Sequence, residues 1–94
     1  MEYIYIRREG DIEILQEKVK SFQTFTNVEL IEAYNQQAKC GITGVHSQAL
    51  YLMSLGHVFL KRFGSSPITL KNNVLEIKGQ IISSGDTYVH VVMK

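Results

Sequence analysis

The residues able to do chemistry are few and widely spaced: Cys40, the histidines at 46, 57 and 90, and the carboxylates Asp11, Glu13 and Glu17. The sharpest pairing is Cys40 with His46, a nucleophile and a general base on either side of a glycine-marked turn. Cys40 falls at the C-terminal end of its helix, however, where the helix dipole disfavours a thiolate, and no orienting Asp or Asn stands beside it. The expectation is an ordinary structural cysteine, buried or half-buried. As the single cysteine it can form no intrachain disulfide and no cysteine-based zinc site. His46 and His57 lie on one helix about 16 Å apart, too far to share an ion. His90 belongs to a strand facing the other way. The three carboxylates sit where helix starts usually carry them. Gly41-Ile42-Thr43-Gly44 lacks the lysine and the preceding strand of a phosphate-binding loop. No catalytic residue, cofactor or metal site is expected, and the reading leans away from an enzyme.

The stretch from Lys39 to Gly64, KCGITGVHSQALYLMSLGHVFLKRFG, also has the order of a helix-turn-helix, with helices over 28–40 and 45–63. A reading helix would present Thr43, His46, Ser47 and Gln48 to base edges, none of them Arg or Lys. Phosphate contacts would fall to Lys39, Lys61 and Arg62, a small electrostatic share for a chain of net charge +1. Weak nucleic-acid binding is therefore the alternative and not the leading function.

The elements that position these groups can be read in turn. EYIYIR alternates at period two and predicts a strand over 2–7. Gly10-Asp11 breaks it, with Asp11 as the N-cap of a helix whose stripe is Ile12, Leu15, Val19 and Phe22. Thr26 to Glu29 is a capping box. It opens a second helix with Leu30, Ile31, Tyr34 and Ala38 on one face, and Gly41 is its left-handed stop. The third helix runs from near Gly44 to Phe63 and ends at Gly64. Its main apolar arc holds Val45, Ala49, Leu52, Met53, Gly56, Phe59, Leu60 and Phe63. Leu50, Tyr51, Leu55 and Val58 lie outside the arc, so the helix should be surrounded on several sides. His46, Ser47, Ser54, His57, Lys61 and Arg62 are its solvated positions. Gly56, in mid-face, predicts close approach of a neighbour.

The last third predicts a meander. Asn72-Asn73 fits a two-residue hairpin turn, pairing Leu70 with Leu75 and Ile68 with Ile77. A second, three-residue turn at Ser83-Ser84-Gly85 would pair Leu75 with Met93, Ile77 with Val91 and Gly79 with Val89. The outward face of that sheet then carries Val74, Ile82, Tyr88, His90 and Val92.

Ninety-four residues, 45% apolar and 20% charged, fit one globular domain over 1–94. Charges or Gln interrupt every apolar run short of a membrane span, and the N-terminus lacks the pattern of a secretory signal, so a cytoplasmic location is the default. The fold class is α+β, order β-α-α-α-β-β-β, with three helices packed on one face of a small antiparallel sheet. The leading function is a non-catalytic interaction or regulatory module. Its partner is another protein or a second copy, in a homodimer through the outward face and with Tyr88 as anchor. A small-ligand pocket or enzyme site at the junction of the third helix and the sheet is the third reading.

Overall fold

The computed structural model describes residues 2–91. Its order is β1 (Glu2–Ile4), α1 (Asp11–Phe22), α2 (Asn27–Cys40), α3 (His46–Phe63), β2 (Ile68–Lys71), β3 (Val74–Ile77), β4 (Ile81–Ser84) and β5 (Thr87–His90). This is the expected α+β arrangement, one strand, then three helices, then the hairpin strands. No helix among the described residues is long and apolar enough to cross a membrane.

The helix α3 is central because it is apolar nearly all round: Ala49, Leu50, Leu52, Leu55, Val58 and Phe59 are all buried. Each fully buried large side chain contributes about 1.5–3 kcal/mol. The helix α1 packs along one side of α3, β2 packs on another and α2 on a third. The helices α1 and α3 run parallel. Asp11 meets His46 at their starts, and Arg62 near the end of α3 donates to the carbonyls of Gln23 and Phe25 just past α1. Ser54, expected in solvent, is buried among these neighbours and donates its hydroxyl to the Leu50 carbonyl at 2.7 Å.

Local signals are answered closely. The Thr26 capping box forms, with Glu29 N to Thr26 Oγ1 at 3.1 Å and Thr26 N to Glu29 Oε1 at 2.8 Å. Gly41 ends α2 at φ 78 and ψ 176, a positive φ but extended, so the chain turns away at once instead of curling left-handed. Asn72 and Asn73 take φ 53 and 64, and the β2–β3 register is Ile68 to Ile77 and Leu70 to Leu75, as expected. The strand β1 pairs with the other side of β3, making a three-stranded sheet in the order β1-β3-β2.

The second half of the meander differs. Instead of one continuous sheet, β4 and β5 form a separate two-stranded sheet, with Ile81 opposite His90, Ile82 opposite Val89 and Ser83 opposite Tyr88. The turn is Gly85-Asp86 and not Ser83-Ser84-Gly85. Val91 bonds to Gln80, not to Ile77, and Gly79 has no strand partner; Met93 lies outside the described residues. Two adjacent side chains of α2 cause the break. The Tyr34 hydroxyl donates to the Gly79 carbonyl at 2.9 Å and also bonds the Lys78 carbonyl. The Asn35 amide takes both polar groups of Ile81, accepting from its N–H at 2.9 Å and donating to its carbonyl at 2.8 Å. The carbonyls of Lys78 and Gly79 and both polar groups of Ile81 thus bond to a helix, and β3 cannot run on into β4. The resulting register shift is odd-numbered, so it exchanges the two faces of the last strand.

Candidate functional site

Three regions hold the sequence-predicted site residues, and a fourth emerges only from packing. Asp11 begins α1 but is not its cap. Gly10, at φ 85, precedes the helix with no side-chain cap. The buried Asp11 carboxylate instead accepts from the Tyr5 hydroxyl at 2.6 Å, from the Arg8 amide at 2.8 Å and from His46, whose Nε2 lies 2.9 Å from Oδ2. The Tyr5 and His46 rings stack at 5.6 Å between centroids and 13° between planes. Burial alone would push the Asp11 carboxyl up, but those three donors outweigh it and hold it at about 2, below its ordinary 3.8. The second ring nitrogen of His46, Nδ1, is buried without a hydrogen-bond partner among the described residues. His46, expected in solvent, is therefore largely enclosed. Both ends of its ring face protein, which suits a clasp between the β1–α1 connection and the start of α3 better than acid–base exchange with a substrate.

The other candidates around the opening of α3 are spread apart or already engaged. Cys40 is exposed, not buried: it lies far round the helix from Leu30, Ile31 and Tyr34, the face that α2 buries. Neither nitrogen of His46 bonds to it. Of the nucleic-acid candidates, Thr43 N and Oγ1 both bond the Gln48 side-chain carbonyl, at 2.9 and 3.0 Å. The Gln48 amide in turn donates to Gly41 O at 2.9 Å and Gln37 Oε1 at 3.1 Å. With His46 held by Asp11, Ser47 is the one of the four left exposed and unbonded among the described residues. No group of three or more His, Cys, Asp or Glu among the described residues could hold a metal ion.

The outward sheet face is redrawn by the β4–β5 register. Tyr88 is not an exposed anchor. It is 9% exposed, rings itself with Phe59 and Phe63 and places its hydroxyl 3.0 Å from Ser65 Oγ. Val74 is half-buried, Ile82 and His90 are exposed, and Val92 lies outside the described residues. Val89, expected inside, is outside, directly opposite Ile82. These two, 54% and 45% exposed, are what remains of the expected apolar patch.

The feature that sequence reasoning did not locate is a groove of about 710 Å³ between α1 and β2, floored by α3. Leu15 and Val19 of α1 form one wall, and Ile68 and Leu70 of β2 the other. Met53, Gly56 and Leu60 of α3 lie between them, with Gln16, Lys20, Gln23 and His57 at the edges. Gly56 lets the β2 wall stand close: a Cβ there would meet Ile68 Cβ at 3.2 Å. Leu60 falls in the main apolar arc of α3 and Leu70 in the inward phase of β2, yet they remain 56% and 44% exposed. Both open onto the groove. Helical and strand phase point them at a core that α1 and β2 leave unfilled. The signal available earlier was only the third reading, a pocket where the third helix meets the sheet; which leucines stay open depends on how far α1 stands from β2.

No protein-family model, curated protein or solved structure matches the chain. Function must accordingly be argued from the site.

Proposed function

We propose that this chain is a non-catalytic binding module whose site is the groove between α1, α3 and β2, and that it takes a small, largely apolar ligand there. The observation that carries the reading is the pair Leu60 and Leu70, two inward-phased leucines left half-open in one groove, the first on its floor and the second on its wall. A space of about 710 Å³ with apolar walls and a few polar groups at its edges has the dimensions of small-molecule sites, ~300–1,000 Å³. Covering those leucines would contribute favourably to binding through the hydrophobic effect. The Asp11–His46 clasp lies away from the groove lining and has no part in it. The test uses Nile red, a neutral apolar dye, with the unmodified chain and with Leu60→Trp and Leu70→Trp, whose added bulk fills the groove. Saturable one-to-one fluorescence enhancement that both variants abolish, with unchanged circular dichroism, supports the module. Enhancement that neither variant reduces would remove the groove from consideration.

A second reading, a two-fold homodimer through the outer face of β4–β5, rests on the facing exposed pair Ile82 and Val89. It predicts a dimer by light scattering that Ile82→Glu with Val89→Glu converts to a folded monomer. A monomer at high micromolar concentration ends that reading.

A further inference from the structure

We infer, on the basis of the groove reading above, that the ligand is a free single-chain amphiphile with one anionic head, such as a medium-chain fatty acid. Its chain lies along the groove and its head meets Lys20 and His57. Two features of the site point to this class.

The first is shape. The α1 wall runs from Leu15 to Gln23, roughly 12 Å at the helical rise per residue. Leu15 and Val19 on that wall, Met53 and Leu60 on the floor and Ile68 and Leu70 on the other wall form an open apolar trough, which suits a flexible chain more than a compact ring system.

The second is charge. No Asp or Glu lines the groove among the described residues; its ionisable lining groups are Lys20 and His57. This reflects a wider asymmetry, since the sequence contains no Asp or Glu between Glu32 and Glu76. Neither α3 nor β2 can therefore supply a carboxylate, and Lys61, one turn beyond His57 on the same side of α3, adds a further cation. The acids of α1, Glu13 and Glu17, are outside the lining. Lys20 has no ion-pair partner among the described residues, the single recorded pair being His46 with Asp11. Its ammonium, together with a ring N–H of His57, is thus open to an anion from solution. A neutral alcohol would gain the apolar contacts alone. A cationic chain of equal length would meet repulsion at the same edge. One lysine and one histidine match a singly charged head, and an open groove of this volume suits one chain.

The experiment titrates the full chain with dodecanoate, dodecanol and dodecyltrimethylammonium, each below its micelle-forming concentration. Binding is followed by calorimetry and by backbone amide shifts. Dodecanoate should bind one-to-one, about fivefold tighter than dodecanol, as expected for an ion pair at a solvent-exposed rim, with the cationic chain weakest. The shifts should cluster on α1, α3 and β2. In Lys20→Gln with His57→Gln, folded by the same spectrum, dodecanoate should fall to the level of dodecanol. Equal binding of dodecanoate and dodecanol by the unmodified chain overturns the anionic class while leaving the groove reading intact. Absence of groove shifts with all three chains overturns both. Shifts seen with phosphatidylglycerol vesicles but not with free dodecanoate overturn it in favour of a membrane surface. A dimer by light scattering that Leu60→Glu with Leu70→Glu dissociates would assign the groove to a second copy instead.

Discussion

Replacing Asn35 by Ala tests the contact that divides the two sheets. The Asn35 amide is the partner of both the N–H and the carbonyl of Ile81, at 2.9 and 2.8 Å, and Ile81 is fully buried. Removing the amide leaves a buried donor and a buried acceptor without partners, each costing about 1–3 kcal/mol. Asn35 itself is half-buried, so some water can reach the gap, and a total of about 2–4 kcal/mol is expected. That is a large part of the roughly 5–14 kcal/mol available to a domain of this size. At about 4–8 °C per kcal/mol, the thermal midpoint should fall by about 8–32 °C. Circular dichroism melting gives the midpoint, and hydrogen exchange reports whether the Ile81 amide has lost protection. Asn35→Asp sharpens the test. Its carboxylate can still accept from the Ile81 N–H but cannot donate to the carbonyl, so at neutral pH it should be nearly as damaging as Ala. Protonation in acid restores a donor and should recover part of the loss. A variant Asn35→Ala that melts within about 3 °C of the parent, with the Ile81 amide still protected, would refute the reasoning that α2 holds β4 in place.

Asp11 gives a pH prediction. Its folded carboxyl is held at about 2, below the ordinary 3.8, so its contribution is complete above about pH 4 and fades as the pH falls toward 2. Acid unfolding followed by circular dichroism should show that Asp11→Asn flattens this part of the stability curve; parallel curves for the two proteins would count against the clasp. At Gly56, a Cβ meets Ile68 Cβ at 3.2 Å and Ser66 Oγ at 3.4 Å. Gly56→Ala therefore sets a helix-propensity gain of up to about 1 kcal/mol against a small shift of Ile68, and urea unfolding should find little net change. Gly56→Leu should lose about 1–3 kcal/mol by overpacking, and an unchanged urea midpoint would mean that β2 does not stand against this residue. Cys40 is exposed at the end of α2, so maleimide should label it to completion in the native protein without denaturant; protection until unfolding would contradict that exposure.

The features legible in the sequence are those whose cause is local. Asn72 and Asn73 tolerate positive φ, and the apolar alternation beside them fixes the β2–β3 register without outside help. Thr26 and Glu29 close their capping box within one turn. The all-round apolar surface of α3 announces a central helix whatever its neighbours prove to be. What the sequence could not determine depends on groups far apart along the chain. Tyr88 turns inward because Tyr34 and Asn35, on a helix far away in sequence, bind the backbone of Lys78, Gly79 and Ile81 and reset the last hairpin by an odd number of residues. Hydrophobic alternation alone favours the other register, since Val89 and Val91 are as apolar as Tyr88 and carry no information about where α2 will lie. Asp11 reads as a helix cap until folding brings His46 and Tyr5 to it. Leu60 and Leu70 read as core until α1 and β2 are seen to stand apart on either side of α3. Periodicity specifies the direction in which a side chain points; whether anything fills the space there is decided by the distance between elements, and only tertiary packing sets that distance.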